Sequence, residues 1–383
     1  MRLTELLHPL PAPAFFDTHW GRQPVVLKGE AGRFASLFSS RDVGRLLTYR
    51  PPRSLEDMLL IKDGRHRAEN WLTPEGLPRL DQVRAAWREG YTLVINRLER
   101  LWEPVGRLGR ALEEELHHPV STNLYLTPAG ARGFPPHFDV MDGFVLQLEG
   151  SKTWRVHGPQ VESPLADEHT ATSADHLPPL LFEQTLESGD VLYLPRGFVH
   201  SARTSEKASV HLTLGVQPVT WNDLLCAALS AARSDPRLRE ALPPRFLEDS
   251  APLETRFQSL LEQLAGRLEL GGALAHLAER LVVQKPPLPD EGLLLEDAVL
   301  EGNAVLGRRE GVVLRVVEGP GYAALQYSGG KLVGPAKIAP ALRHISRHAV
   351  VSVRSLPGLS PKEQEVLAGR LVRDGILIAQ GPS

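Results

Sequence analysis

Two short segments constrain this chain more than any other feature. The first, GFPPHFDVMDGFVLQLEGSKTWRVH, runs from Gly133 to His157 and contains His137-Phe138-Asp139. The second, GDVLYLPRGFVH, ends at His200, 63 residues after His137. In an extended strand, side chains two residues apart share a face. His137 and Asp139 are therefore expected to present an imidazole and a carboxylate together. Two histidines and one carboxylate are the donors that hold non-haem Fe(II) on one side and leave positions open on the other. A hairpin and one distant strand can bring the three together in a small barrel. Alone, an H-x-D pair in a chain with 14 histidines is a weak signal, because most such pairs are surface or helix-cap residues. The flanking residues strengthen it. Pro135-Pro136 stop a helix and favour extended backbone ahead of the pair. Phe144 to Leu148 reads as a strand, Gly150-Ser151 as a turn and Thr153 to Val156 as the return strand. In the second segment Gly189-Asp190 opens a strand from Val191 to Leu194, and Pro195-Arg196-Gly197 turns His200 inward.

Gly189, Pro195, Gly197 and His200 fit the cupin pattern G-x5-P-x-G-x2-H residue for residue. The first segment departs from it: Asp139 stands where a second histidine is usual, and Gly143 where a glutamate ligand is. With NLYLTP (Asn123 to Pro128) ahead of it and Q-L-E-G-x-K-x-W-R-V behind, the block resembles the JmjC-type ribosomal oxygenases. That resemblance implies an α+β chain: a double-stranded β-helix (cupin/JmjC jelly-roll) over 1–219, a helical dimerisation domain over 220–285 and a winged-helix-like domain over 286–383. It also implies a dioxygenase that uses Fe(II), 2-oxoglutarate and O2 to hydroxylate a ribosomal-protein side chain, and that forms a homodimer. Histidine and arginine are the family's targets. The Q-L-E-G-x-K-x-W and H-L-T wording is closer to the animal histidine hydroxylases, which carry lysine at the Lys152 position. In the family the distal carboxylate of 2-oxoglutarate is met by that basic residue and by the tyrosine at the Tyr125 position.

The residues have a reading of their own beside this. Asn123 and Tyr125 alternate with leucine and share a face; if that face looks into the barrel, it brings an amide and a phenol near the metal. Lys152 follows the hairpin turn, where a cation inside a barrel is costly unless an anion meets it. Otherwise it is a solvated turn lysine. Ser209, His211 and Thr213 alternate with Val210, Leu212 and Leu214 and are expected to line the cosubstrate end. Thr204 takes the place of a cupin asparagine and is expected to matter little for the metal. The long segment 157–187 reads as a lid or binding loop, with His157, His169 and His176 exposed rather than ligating.

The remainder is ordinary in composition, 42% apolar and 23% charged. A net charge of −3 and a pI near 6.5 give no global electrostatic case for nucleic acid or membrane. A lone cysteine, Cys226, excludes an intrachain disulfide, and neither a signal-length nor a membrane-length apolar run is present, so a cytoplasmic protein is expected. Short helices are expected at Leu3 to Leu7 and from Ser39 or Ser40 to Leu47, a longer one at Leu101 to Leu116, and strands at Pro24 to Leu27, Tyr91 to Asn96 and Ser121 to Leu126. Phe16, Trp20 and Pro24 are expected to pack under the barrel. Beyond Val219, Thr220 or Asn222 starts a helical run, and Leu253 to Val283 carries apolar residues at helical spacing. Lys285 to Pro289 reads as a linker, Val312 to Val317 and Tyr322 to Tyr327 as strands around Gly319-Pro320-Gly321, and Ser360-Pro361-Lys362-Glu363 as a helix start. From residue 286 onward 11 basic face 10 acidic side chains, so no direct DNA binding is expected of this part. Two other classes of function stay open at this point: a cupin metalloenzyme acting on a small molecule, and a ligand-sensing winged-helix regulator.

Overall fold

Alternating apolar and polar residues in the first two hundred positions lay two antiparallel sheets face to face. The computed structural model describes residues 1–52, 54, 56–67, 71–168, 172, 176–248, 250–285 and 303–379; the expected linker at Pro286 to Pro289 and His169 lie outside them. The described chain divides into two units, Met1–Pro218 and Val219–Ser383.

In the first unit the strands are β1 (Val25–Leu27), β2 (Met58–Lys62), β3 (Arg65–His66), β4 (Thr92–Ile95), β5 (Val120–Thr127) and β6 (Asp142–Glu149). They continue with β7 (Ser151–Pro159), β8 (Leu180–Glu187), β9 (Val191–Leu194), β10 (Phe198–Arg203) and β11 (Ser209–Val216). The larger sheet has the order β1-β9-β6-β11-β5-β4-β2-β3, and the smaller the order β10-β7-β8. The two antiparallel sheets make a cupin-type sandwich. One face of the larger sheet, with Leu124, Leu126, Phe144, Leu146, Leu212 and Leu214, is packed into a core with the helices α1 (Leu3–Leu7), α2 (Ala12–Thr18), α3 (Asp42–Tyr49), α4 (Leu80–Arg88) and α5 (Glu103–Leu116). From this helical layer Phe15 meets Tyr193 edge to face and Trp20 stacks on it, with ring centroids 4.8 and 6.1 Å away. Between the sheets, Val145, Leu192 and Leu194 meet Trp154, Val156 and Leu186.

Two glycines are required by close approach. At Gly150 (φ +65°) a Cβ would sit 1.9 Å from the Ala208 carbonyl oxygen, and at Gly197 (φ +84°) 2.0 Å from that of Val161. Most expected strands and helices lie within a residue or two of their observed bounds. The segment through His137 and Asp139 is different: instead of a strand it makes a single bridge, His137 to His200. Pro135 and Pro136 lack the N–H groups that would continue a ladder.

The second unit begins with α6 (Trp221–Ala231), whose N-cap Thr220 forms a reciprocal capping box with Asp223. The expected run from Leu253 splits at Gly266 into α7 (Ala251–Ala265) and α8 (Leu270–Ala278), followed by a wider helical turn over Glu279–Val283. Ala227 and Ala228 of α6 pack with Ala273 and Leu277 of α8. Trp221, Leu225 and Leu229 on α6, Phe257 and Leu261 on α7, and Leu270 and Leu274 on α8 stay exposed, each set at four-residue spacing. Further on, β12 (Val305–Arg308) lies between β16 (Val350–Ser352) and β17 (Leu377–Ala379), beside a meander of β13 (Arg315–Gly319), β14 (Tyr322–Tyr327) and β15 (Gly330–Pro335). The expected strand at Val312 to Val317 thus starts three residues later. Helices α9 (Ala339–Arg347) and α10 (Pro361–Arg373) close one core with these strands through Leu306, Leu325, Leu342, Ile345, Leu367 and Leu371. Ser360 and Glu363 form the capping box expected of them. Among the described residues no helix is long and apolar enough to cross a membrane.

Candidate metal centre

His137 and His200 exchange both main-chain hydrogen bonds: His137 N–H to the His200 carbonyl at 3.1 Å, and His200 N–H to the His137 carbonyl at 2.8 Å. Such a reciprocal pair sets the two Cα atoms side by side. The turn before His200 is tied in by the Gly197 N–H, which donates to the Asp139 carbonyl at 2.9 Å. A register shift between Phe198 and His200, where β10 meets β7, turns the His200 ring into the space between the sheets.

Each ring is oriented by its own backbone. Nδ1 of His137 lies 2.9 Å from the Pro135 carbonyl oxygen, and Nδ1 of His200 3.0 Å from that of Phe198. A carbonyl only accepts, so both Nδ1 atoms carry the proton and both Nε2 lone pairs are free. Those Nε2 atoms lie 3.9 and 3.6 Å from the two carboxylate oxygens of Asp139. All three donor atoms fall within 4.8 Å of one another, and among the described residues no other group of three such side chains is so placed. Burial, and then the neighbouring His137, push the His200 imidazolium well below its usual pKa, which favours the neutral ring that a metal needs. His200 is buried, His137 is half-buried, and the Asp139 side chain is 43% exposed, so the centre opens on the Asp139 side.

Behind it lies a polar interior. Lys152 on β7 is 5% exposed; its Nζ donates to Thr127 Oγ1 at 3.0 Å. Thr127 also accepts from Thr92 Oγ1 at 3.3 Å. The described residues give Lys152 no carboxylate partner, and burial brings its pKa down to about 7. Tyr125 stacks face to face on His211, with centroids 4.7 Å apart. Burial, then the charge of Asp139, raises the Tyr125 phenol, partly offset by a hydrogen bond with Asn123; the phenol keeps its proton and can donate it. Burial and the Lys152 charge push His211 far below its ordinary range. The Trp154 ring stands 5.9 Å from His200 and 5.6 Å from His211. Its buried Nε1, with His211 Nδ1 and Gln147 Oε1, has no hydrogen-bond partner among the described residues. Native interiors rarely leave such atoms unmatched, so three orphans and an unpaired ammonium describe an interior shaped for a polar, anionic guest.

The structure therefore brings His137, Asp139, His200, Tyr125 and Lys152 around one interior. Asn123 shares the Tyr125 face, and its Oδ1 also accepts from the Arg97 amide at 3.2 Å. Thr213 lies across from Asn123 and Val145, whereas Ser209 lies across from Thr127; Thr213 is thus at the row farther from Lys152. One expectation is corrected. His157 is 6% exposed rather than solvated, its Nδ1 held 2.8 Å from the Pro178 carbonyl oxygen, because β7 runs on past the expected loop start. Thr204 is also buried, and its hydroxyl bonds the Pro128 and Ala131 carbonyl oxygens at 2.5 and 3.0 Å. His176 is exposed as expected. Thr127 and Trp154 were missed as lining residues. Alternation along β5 from Asn123 through Tyr125 was the available signal for Thr127.

Residues 100–224 match the family described as the JmjC domain. Ribosomal oxygenase 2 of Bos taurus is 32% identical over 286 residues, covering 69% of this chain and 59% of that protein. Ribosomal oxygenase 1 of Gallus gallus is 36% identical over 264 residues, covering 63% of this chain and 42% of that protein. The chain thus spans 59% or less of the length of these relatives. YcfD, a ribosomal oxygenase from Escherichia coli solved in complex with cobalt and 2-oxoglutarate, is 20% identical, with a TM-score of 0.60 over 97% of this chain and 99% of that one. That last likeness is one of fold.

His137→Ala and Asp139→Ala are each expected to weaken Co2+ binding by more than the roughly 10–100-fold typical of losing an outer-sphere partner, with the near-UV circular dichroism unchanged. A cobalt absorption titration checks this. Wild-type affinity in both variants would remove the three-ligand centre.

Proposed function

We propose, from the chain's JmjC domain and its likeness to the ribosomal oxygenases, that it is an Fe(II)- and 2-oxoglutarate-dependent dioxygenase hydroxylating a ribosomal-protein side chain. One observation carries the reading: a buried ammonium without a carboxylate partner shares an interior with three converging metal donors. Burying an unpaired charge is costly, and a dicarboxylate reaching from the metal to Lys152 satisfies both ends at once.

In this reading Nε2 of His137, Nε2 of His200 and the Asp139 carboxylate hold the iron. Iron held there would supply, with 2-oxoglutarate and O2, an oxidation in which one oxygen atom enters a C–H bond of the target, the other ends in succinate, and CO2 leaves. The chain's own contribution is positional. Lys152 holds the distal carboxylate in a charge-assisted hydrogen bond, with Thr127 fixing its Nζ. Tyr125 offers its retained phenolic proton to the cosubstrate, steadied by His211 beneath it and Asn123 beside it. Thr213 lines the same interior at the Asn123 row. The exposed side of Asp139 leaves room for a protein side chain to enter.

The helical part of the second unit supports a homodimer. Three helices each present an exposed apolar stripe, more than a soluble surface usually leaves uncovered. The sheet β16-β12-β17 with α9 and α10 supports a winged-helix-like arrangement, and 11 basic against 10 acidic side chains from residue 286 support a structural or protein-binding role rather than DNA binding. An exposed free thiol at Cys226 fits a reducing, cytoplasmic setting.

The direct experiment measures 2-oxoglutarate turnover with Fe(II) and ascorbate, with and without ribosomal proteins of the source cell, and maps oxygen-atom mass additions. A hydroxylated histidine is expected; an arginine product overturns the choice of residue, and no protein product overturns the protein-hydroxylase reading.

Lys152→Ala is expected to lose a contact of about 1.5–3 kcal/mol, or roughly ten- to 150-fold in the apparent KM for 2-oxoglutarate. Lys152→Arg keeps part of the function through its charge. The pH dependence has a definite sign. With a pKa of about 7 before the anion binds, Lys152 is charged below that pH and must take up a proton above it. Affinity is therefore expected to be flat below pH 7 and to fall by up to about tenfold per pH unit above it. A KM independent of both pH and the lysine places the anion elsewhere.

For assembly, light scattering at micromolar concentration is expected to give twice the chain mass, and Leu225→Glu to shift it toward the monomer. A wild-type monomer removes the dimer.

A further inference from the structure

Two chain segments carry the three metal donors, and a single backbone bridge joins them at His137 and His200. Regular strands would hold such a pair by several rungs, but here the rungs on one side are missing because Pro135 and Pro136 have no N–H to give. We propose that Asp142 and Thr204 are positioning residues: buried side-chain staples at the two ends of the bridge that keep the ligand segments in register. The proposal rests on the metal-centre reading above.

At one end stands Asp142, 2% exposed and three residues past the ligand Asp139. Its Oδ1 accepts the main-chain N–H of Arg196 at 3.1 Å, four residues before the ligand His200. The Tyr193 hydroxyl donates to the same oxygen at 3.4 Å, and Arg196 Nη1 lies 3.9 Å from Oδ2. The next residue, Gly197, gives its N–H to the Asp139 carbonyl. One carboxylate thus fixes the turn from which both Asp139 and His200 take their direction.

At the other end stands Thr204, 4% exposed and four residues past His200. Its hydroxyl accepts the Ala131 N–H at 2.9 Å and shares its proton between the Pro128 and Ala131 carbonyl oxygens. Its own N–H donates to the Ala131 carbonyl at 3.1 Å. Ala131 lies six residues before His137, on the far side of the two prolines. The staple therefore bridges the stretch that the prolines leave without a ladder. A purely structural role would be served by an apolar side chain of equal volume at either place. What the polar groups add is direction, because each bonds main-chain atoms of the opposite ligand segment.

The test measures metal affinity rather than activity. Co2+ binding is followed by absorption titration for the wild type, Asp142→Ala, Asp142→Asn, Thr204→Val and Thr204→Ser, with near-UV circular dichroism on each. Asp142→Ala and Thr204→Val are expected to lose roughly tenfold or more in Co2+ affinity, while Asp142→Asn and Thr204→Ser, which keep the acceptor oxygen, return to within a few-fold of wild type. Wild-type affinity in Thr204→Val and Asp142→Ala overturns the proposal. So does a failure of both conservative variants to rescue, or a loss of folded signal in the nearly isosteric Thr204→Val without a selective loss of metal. His137→Ala separates the two readings: if it too binds Co2+ normally, the triad itself has failed rather than its staples.

Discussion

The reciprocal hydrogen bonds between the main chains of His137 and His200 are the contact on which the centre depends. They couple the first ligand segment, which has no strand of its own, to β10, which does. Everything nearby reads as a consequence of that coupling. The irregularity at Phe198 turns the His200 ring inward, the two Nδ1 protons lock onto local carbonyl oxygens, and both Nε2 atoms are left toward Asp139. A metal site needs donors aimed before the metal arrives, and here the aim is set by backbone rather than by long side-chain relays.

A second constraint is the ammonium of Lys152. Its environment holds one hydroxyl partner and no described carboxylate, and its pKa is brought down to about 7 by burial. The folded chain therefore carries an unfavourable group that the core around Leu124, Phe144 and Leu212 must offset. Strained or under-satisfied groups collect where a ligand will relieve them. The buried atoms on His211, Trp154 and Gln147 that lack partners among the described residues lie in the same interior.

Much of this was legible in the sequence. The H-x-D pair, the P-x-G turn and the second histidine are short-range signals, and period-two alternation put Asn123 with Tyr125 on one strand face and Ser209, His211 and Thr213 on another. Each depends on neighbours along the chain. What could not be read depends on partners far apart. Nothing in the residue order shows that Thr204 meets Ala131, that Asp142 reaches the Arg196 amide, or that β7 extends far enough to bury His157. The strand assigned to His137 and Asp139 failed for a local reason, because the prolines that favour extended backbone also deny it a ladder. In the second unit, the capping box at Ser360 and a helix start at Thr220 or Asn222 were visible, whereas the break at Gly266 competes with a strong apolar period on both sides.

The exposure gradient across the three ligands orders how the site can be used. His200 is closed off beneath Trp154, while Asp139 is open to solvent. Lys152 is buried, so an anion that meets it is taken into the interior. On the proposed reading, a protein side chain would approach from the open Asp139 side and a dicarboxylate would lie on the Lys152 side. Gly143 fits this order. A cupin glutamate at that place would project toward Thr213, whose methyl carbon would lie 3.8 Å from the added Cβ, and would bring a further negative charge into the interior. With glycine there, no carboxylate is added to the interior that holds Lys152.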